Sequence, residues 1–357
     1  MNLLTRVVLL CCLIFTVLCQ NFTMDRKIIQ ANFALDGVHD PDTNTIYYLT
    51  KGALYKVNIT KQKVEQSPLI DEFIHAPFLD KKNEQILFFT RANDRVSTLH
   101  YLDTKSLNIT KSIEVPQIGE FSPEEALFHP ETRTAILYGF LFYPKKGVVD
   151  PTRVINIDDL SVKDLSPFKI YGRVDSNGAA CIYDKQRNKG YFLSQIVDKN
   201  TTNPQLSLTE INYNAPGDVT IIDRIINLPI ADSVELALDV EKNIIYGAML
   251  YYKSNSTSPN LMQINLNNGD VKAVRHEYDA WGLFVDEQTH SVYFSCGEEP
   301  GETAKLITTD EKFEKFEDAG MTSGNLHFGR GILVRDQDQD PTVFFITFPM
   351  GVNILNR

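Results

Sequence analysis

The side chains in this sequence that are able to do chemistry recur at long and similar intervals. They are His75, Glu124 and Glu125, Asn177, Asp232 and Glu235, Asp279, and Asn325 with His327. Most are carboxylates or amides, and each stands at or just before a short apolar run. Gathered on one rim, their oxygens would suit a hard cation such as Ca²⁺, which takes oxygen ligands at about 2.3–2.6 Å. His75, Glu125, Asn177, Glu235, Asp279 and Asn325 would line such a rim as a ligand-binding surface. The plainer alternative is that these side chains cap backbone amides and face water. A second acidic stretch, Asp336-Gln337-Asp338-Gln339-Asp340, alternates carboxylates, but Pro341 follows where a calcium-binding turn would carry Gly. It reads as a solvated acidic turn.

No compact catalytic signature accompanies these positions. The chain has no Gly-x-Ser-x-Gly elbow and no His-Glu-x-x-His pair, the arrangements that build a nucleophile or a zinc site from one short stretch. Its 7 histidines are scattered. Any chemistry must come from elements that bring distant segments together.

Those elements are legible as a repeat. In its clearest copy, an apolar run from Ser233 leads into Asp239, a polar turn follows, and a second apolar run begins near Ile244. Equivalent anchors are Asp40, Asp80, His129, Asp184, Asp286 and Asp336, with successive anchors 40 to 55 residues apart. Ile46-Tyr47-Tyr48, Ile86-Leu87-Phe88-Phe89 and Val292-Tyr293-Phe294 are examples of the second run. A third run alternates apolar with polar and ends in Asn or Asp, as at Asn58, Asp103, Asp158, Asn212 and Asn265. Weaker fourth runs follow, such as Val219-Thr220-Ile221-Ile222 and Val271-Lys272-Ala273-Val274. Alternation marks half-buried strands. Four antiparallel strands recurring at a fixed period make the blade of a β-propeller.

We therefore expect an all-β fold, a β-propeller of four-stranded antiparallel blades, seven by the count of copies and six as the alternative. The last copy has room for only one strand, residues 352–355, after its second. Residues 27–31 are expected to pair beside it and close the ring, because an open last blade would expose an unpaired edge.

The stretch Ser176-Asn177-Gly178-Ala179-Ala180-Cys181-Ile182-Tyr183-Asp184, followed by Gly190-Tyr191-Phe192, resembles the Asn-Gly blade start of the SMP-30/gluconolactonase family of six-bladed propellers. That resemblance implies one divalent metal at the channel mouth, activating water for lactone or ester hydrolysis. Asn177 would match the family's Asn, Asp279 its Asp and Glu125 its Glu. The family's first-blade Glu-Gly-Pro motif is absent here. The general blade pattern also resembles YWTD and NHL propellers. Trp281 is the only tryptophan, so Trp-Asp blade endings are missing.

The 357 residues are 43% hydrophobic with a net charge of -11. An acidic chain without a basic stripe is a poor partner for nucleic acid. Arg6 followed by an apolar run to Cys19 reads as a secretory signal peptide over residues 1–19, and the run is short for a membrane span. Residues 20–357 would form a single propeller domain. Sequons stand at Asn21, Asn58, Asn108, Asn200 and Asn255. Asn58 and Asn108 fall in outer turns and Asn200 and Asn255 in polar inserts, so all four are expected to carry glycan. Cys181 and Cys296 outlast the signal, two blades apart, beyond the roughly 7 Å that a disulfide spans. They are expected to be buried free thiols.

The leading function is recognition by a secreted, glycosylated extracellular binding protein, probed at its channel mouth or loop face by a protein or small-molecule ligand. A monomer is expected, with no membrane span and no firm cofactor beyond a divalent cation such as Ca²⁺. The alternatives are a metal-dependent lactonase or esterase-like hydrolase with its site at the axial channel mouth, and a structural matrix or interaction module.

Overall fold

Each described anchor residue ends one strand and starts a tight turn, and the turn explains why the anchor is Asp. The computed structural model describes residues 22–356 apart from 28–33, 71–73, 93–95, 142–151, 165–179, 197–204, 251–256, 298–302, 335–341 and some single or paired turn positions. Asp40 accepts hydrogen bonds from the Thr43 hydroxyl (2.7 Å) and the Asp42 backbone N–H (3.3 Å). Asp184 accepts from the Arg187 N–H at 3.0 Å, Asp239 from the Lys242 N–H at 3.0 Å, and Asp286 from the Gln288 N–H at 3.1 Å. His129 substitutes by placing its Nδ1 3.1 Å from the Thr132 N–H. Four residues after each of the six described anchors the backbone turns left-handed, at Asn44, Glu84, Arg133, Asn188, Asn243 and His290, with φ between 51° and 60°. A short polar side chain that bonds the backbone ahead, followed by one left-handed residue, reverses the chain within a hairpin. The residues ending the third run do the same in two copies, whereas Asn212 lies inside its strand, which runs on to Ala215. Asp103 and Asn156 accept from N–H groups two residues on at 3.1 and 2.8 Å, and Leu107 and Leu160 supply the positive φ.

These hairpins build five four-stranded antiparallel sheets. The first contains β2 (Ala34–Asp40), β3 (Thr45–Thr50), β4 (Ala53–Asn58) and β5 (Lys63–Gln66). The second contains β6 (Ile74–Asp80), β7 (Gln85–Ala92), β8 (Val96–Asp103) and β9 (Ile109–Val115), and the third β10 (Phe121–His129), β11 (Thr134–Leu141), β12 (Thr152–Asn156) and β13 (Val162–Asp164). The fourth is β14 (Ala180–Asp184), β15 (Lys189–Ile196), β16 (Gln205–Ala215) and β17 (Asp218–Ile226), and the fifth β18 (Ser233–Asp239), β19 (Ile244–Leu250), β20 (Leu261–Asn265) and β21 (Val271–Val274). Helix is confined to two 3₁₀ turns, Lys81–Asn83 and Pro116–Ile118, among the described residues.

The remaining strands correct the expectation of seven separate blades. Counted as hydrogen-bonded sheets, the propeller has six blades. The sixth sheet has eight strands and takes in the last two copies of the repeat. One half is β22 (Asp279–Asp286), β23 (Ser291–Gly297), β24 (Thr303–Thr309) and β25 (Phe316–Asn325), and the other β26 (His327–Val334), β27 (Thr342–Phe348), β28 (Gly351–Asn356) and β1 (Phe22–Lys27). The merger has a local cause. β1 pairs antiparallel with β28, Met24 opposite Leu355 and Lys27 opposite Asn353, and its other edge meets β25 in parallel at Phe22–Gly320 and Thr23–Met321. The N-terminal strand thus lies beside β28 as the repeat requires, but it begins at Phe22 and not at Lys27. Residues 28–31 of the expected strand lie outside the described residues. The inner strands touch in order, β2, β6, β10, β14, β18, β22 and β26, and β2 also meets β27, completing the circle.

Packing between sheets explains why the second runs are apolar without alternation. Ile86 and Phe88 of β7 pack with Tyr47 and Leu54 of the first sheet. Leu87 and Phe89, on the other face, pack with Ala135 and Leu137 of the third. Both faces of β7 are therefore buried, and all four residues are 0% exposed. A strand covered on both sides reads as a continuous apolar run.

Polar clasps reinforce the same seams at the turn end. Lys81 of the second sheet reaches Asp40 of the first at 2.7 Å. Arg133 of the third clasps Asp80 of the second, and His290 of the sixth lies 3.0 Å from Asp239 of the fifth. Burial alone would raise the Asp40 carboxyl, but the hydrogen bonds from Lys81 and Thr43 outweigh it and hold the group below its ordinary value.

Candidate functional site

Strand register decides which predicted residues share a level. Glu125 pairs with Tyr138 and Glu235 with Ala248, each four positions into the second strand of its sheet. His75 pairs with Phe89 at the same level, beyond a bulge between His75 and Phe78. These three backbone positions therefore stand at one height near the start of neighbouring or nearby inner strands, on the face opposite the Asp-capped turns. Asp279 opens β22 opposite Gly297, two steps nearer that face's edge. Asn325 does not precede an inner strand directly. It ends β25, opposite Thr303, and His327 starts β26. Asn177 and Asp232 lie outside the described residues, as do Asn200 and Asn255 and the turn from Asp336 to Asp340.

The described side chains concentrate at the start of β22. Asp279 receives a hydrogen bond from the Arg275 guanidinium at 3.0 Å, and the two side chains are 19% and 29% exposed. An aspartate so engaged is a weaker candidate for a metal ligand, because a cation would have to displace the guanidinium. No group of three or more His, Cys, Asp or Glu side chains placed to hold a metal occurs among the described residues.

Sequence reasoning missed what surrounds Asp279. Buried Asn260 brackets the segment that feeds β22. Its Oδ1 accepts from the His276 N–H at 2.7 Å, and its Nδ2 donates to the Tyr278 carbonyl at 2.6 Å and the His276 carbonyl at 3.3 Å. Lys305 of β24 donates to the Tyr278 hydroxyl at 2.9 Å, and its ammonium lies 4.3 Å from the Tyr278 ring centre. His276 packs its ring at 5.6 Å from Tyr278 and 5.8 Å from Phe316. Burial pushes the His276 imidazole below its ordinary value, so the ring favours the neutral form. The available signal was the density of the stretch Arg275-His276-Glu277-Tyr278-Asp279, where a guanidinium, an imidazole, a phenol and two carboxylates stand in five consecutive residues.

Cys181 and Cys296 form no disulfide. Cys296 in β23 is fully buried, and burial, followed by the nearby Asp279 charge, drives its thiol far above its ordinary value. Cys181 in β14 is half-buried. Asn108 is exposed in the turn between β8 and β9. Asn58 caps its own turn, accepting from the Lys61 N–H at 2.8 Å. No described helix is long and apolar enough to cross a membrane.

This architecture is that of a β-propeller, and comparison with known structures agrees. A chain from a structure of the mitotic checkpoint complex superposes with a TM-score of 0.63 at 7% identity, over 94% of this chain and 92% of that one. The Dos1 propeller gives 0.58 at 9%, over 90% and 77%. Oligogalacturonate lyase from Vibrio parahaemolyticus gives 0.55 at 10%, over 80% and 81%. At such identities these likenesses establish the fold alone. No family profile matches the sequence, and no curated protein matches it either. The likeness to the SMP-30/gluconolactonase family finds no support in these comparisons, and residues 176–179, which carry part of it, lie outside the described residues.

Proposed function

We propose that this chain is a secreted, glycosylated β-propeller whose task is recognition, with an extracellular protein or small molecule bound at the face where the inner strands begin. The observation that carries the reading is the Asn260 bracket. It fixes the segment from His276 to Tyr278 by three hydrogen bonds, so that Arg275, Tyr278, Asp279 and Lys305 stand ready before any ligand arrives. A preformed set of aromatic and charged groups binds without paying again for ordering. His75, Glu125, Asn177, Glu235 and Asn325 would extend this surface around the channel mouth. Glycan at Asn58, Asn108, Asn200 and Asn255, and removal of residues 1–19 on export, complete the proposal.

The test is expression of the full chain in a eukaryotic host. Export into the medium, a mass loss on enzymatic deglycosylation and a mature N-terminus near residue 20 are expected. Metal analysis should find no stoichiometric divalent cation, and neither Ca²⁺ nor EDTA should move the melting temperature. An unglycosylated chain retained in the cytosol defeats the secretory part. A stoichiometric cation whose removal lowers the melting temperature, and whose loss follows Asn177→Ala, replaces recognition with the metal-dependent hydrolase.

A further inference from the structure

Three large apolar side chains are exposed among the described residues, and all three belong to the outer margins of the first two sheets. Val64 (39% exposed) is the second residue of β5 and Ile109 (39%) the first of β9, while Leu69 (78%) lies beyond β5 on the way to β6. β5 and β9 are edge strands, each paired on one side only among the described residues. The matching edges of the third and fifth sheets differ. Val162 of β13 and Val271, Ala273 and Val274 of β21 are partly buried and pack against the core. An edge that sets β-branched apolar side chains beside unpaired backbone is a template for a foreign strand, and proteins cover or charge such an edge.

The same two sheets carry sequons at the matching place. Asn58 and Asn108 stand where the third strand turns into the fourth, just ahead of β5 and β9. The corresponding stretches of the other four sheets, residues 156–162, 212–218, 265–271 and 309–316, contain no Asn-x-Ser/Thr. Asn108 immediately precedes Ile109. Asn58 pairs with Lys63, so Val64 lies one strand across and one residue along, steps of about 4.8 Å and about 3.4 Å. Both amides can carry a glycan without dismantling their turns. Asn108 is exposed, and its side chain makes no hydrogen bond among the described residues. Asn58 caps its turn through Oδ1, which accepts from the Lys61 N–H at 2.8 Å. Its Nδ2, the atom a glycan would occupy, reaches only the Thr43 carbonyl, at 3.5 Å. An N-linked oligosaccharide is bulky and solubilising, and its sugar rings have C–H faces that can lie on an apolar side chain. We infer that the glycans on Asn58 and Asn108 are the covers of β5 and β9, lying over Val64 and Ile109 and keeping these two edges from pairing with strands of other molecules. The inference rests on the reading of this chain as secreted and glycosylated, and gives two of its glycans a structural task. Leu69, at the end of β5 remote from Asn58, stays outside the cover.

Native enzymatic deglycosylation of the full-length secreted protein tests this, with occupancy at Asn58 and Asn108 read by peptide mass mapping. Removing the glycans from the folded protein leaves the folding step itself untouched. With its glycans the protein should sediment as a single species and bind little of a hydrophobic dye. After deglycosylation it should bind more dye and shift in part to oligomers. Val64→Lys with Ile109→Lys places a charge on each edge, and that variant should remain a single species after the same treatment. A bare Asn58 or Asn108 refutes the cover at that edge, and bare sites throughout refute the glycosylated reading itself. Glycans present at both sites, whose removal changes neither dye binding nor sedimentation, overturn this inference and leave that reading standing. So does a wild type that associates with both glycans in place, or a deglycosylated Val64→Lys/Ile109→Lys variant that associates as readily as deglycosylated wild type.

Discussion

The clasp between Asp80 and Arg133 makes a prediction about order as well as size. Asp80 is 0% exposed and accepts from Arg133 and from the Asn83 amide at 2.8 Å. Arg133 is 12% exposed and also donates to Asp158 at 2.6 Å, and Asp158 is 61% exposed. Removing Asp80 takes one charged hydrogen bond from Arg133, worth about 1.5–3 kcal/mol, but leaves the guanidinium its bond to Asp158. Removing Arg133 leaves a fully buried carboxylate with one amide donor and no counter-charge. Breaking a buried pair in this way costs about 3–5 kcal/mol. A domain of this length unfolds with an entropy of roughly 0.7 kcal/mol per kelvin. Asp80→Ala should therefore lower the melting temperature by about 2–4 °C and Arg133→Ala by about 4–7 °C. The double variant should lose less than the two together, because no charge is stranded, giving a coupling of about 2 kcal/mol in a double-mutant cycle. Thermal unfolding of the four proteins measures every term. Additive losses, or a larger loss for Asp80→Ala than for Arg133→Ala, would refute the clasp between the second and third sheets.

Two further predictions test other parts of the fold. Gly247 in β19 stands opposite Met262 of β20, and a Cβ there would lie 2.2 Å from the Met262 Cε and 2.8 Å from its Cγ. Gly247→Ala should cost about 1–3 kcal/mol by overpacking, and pairing it with Met262→Ala should relieve the clash, so chemical denaturation should show losses that do not add. Burial lowers the imidazoles of His39 and His276 below the ordinary 6.5, so the unfolded chain binds protons more readily than the folded one just below that pH. Stability should be undiminished above about pH 6.5 and fall as pH drops through it towards the folded values. His39→Gln with His276→Gln should flatten that part of a melting-temperature profile between pH 8 and 5, and an unchanged slope would disprove the assignment.

Much of the fold was legible because one chemical device repeats. The anchor Asp, the left-handed residue four places on and the apolar run that follows are local, so hairpins such as Ser233 to Leu250 announce themselves in the sequence. Burial on both faces of β7 likewise turns Ile86-Leu87-Phe88-Phe89 into a run that no loop would carry. The number of sheets was not legible, because it turns on two parallel contacts, Phe22–Gly320 and Thr23–Met321, between segments almost 300 residues apart. No periodicity encodes them. The start of β1 was misread for a related reason. Ile28 and Ile29 offered the stronger apolar signal, whereas the free edge of β28 pairs with the more polar residues before them. At the candidate site, Asp279 was visible as an acid, but its engagement by Arg275 and the bracket from Asn260 depend on side-chain geometry. Asn260 itself is an ordinary amide in a loop until its three hydrogen bonds are seen.

The two ends of the propeller divide the polar side chains between them by physical necessity. At the turn end, buried carboxylates serve the hairpins first and the next sheet second. Asp40, Asp80, Asp184, Asp239 and Asp286 are all less than 9% exposed, and each accepts hydrogen bonds within its own turn. Groups committed in this way cannot be lent to a ligand without loosening a seam. The opposite end has no such obligation in its backbone, since the segments feeding the inner strands need not make tight turns. There the fixed groups around Asp279 are held by Asn260 from behind, which leaves Arg275 and Asp279 partly exposed. A propeller that commits its carboxylates to closure at one end leaves the partly exposed Arg275 and Asp279 at the other end free of that duty.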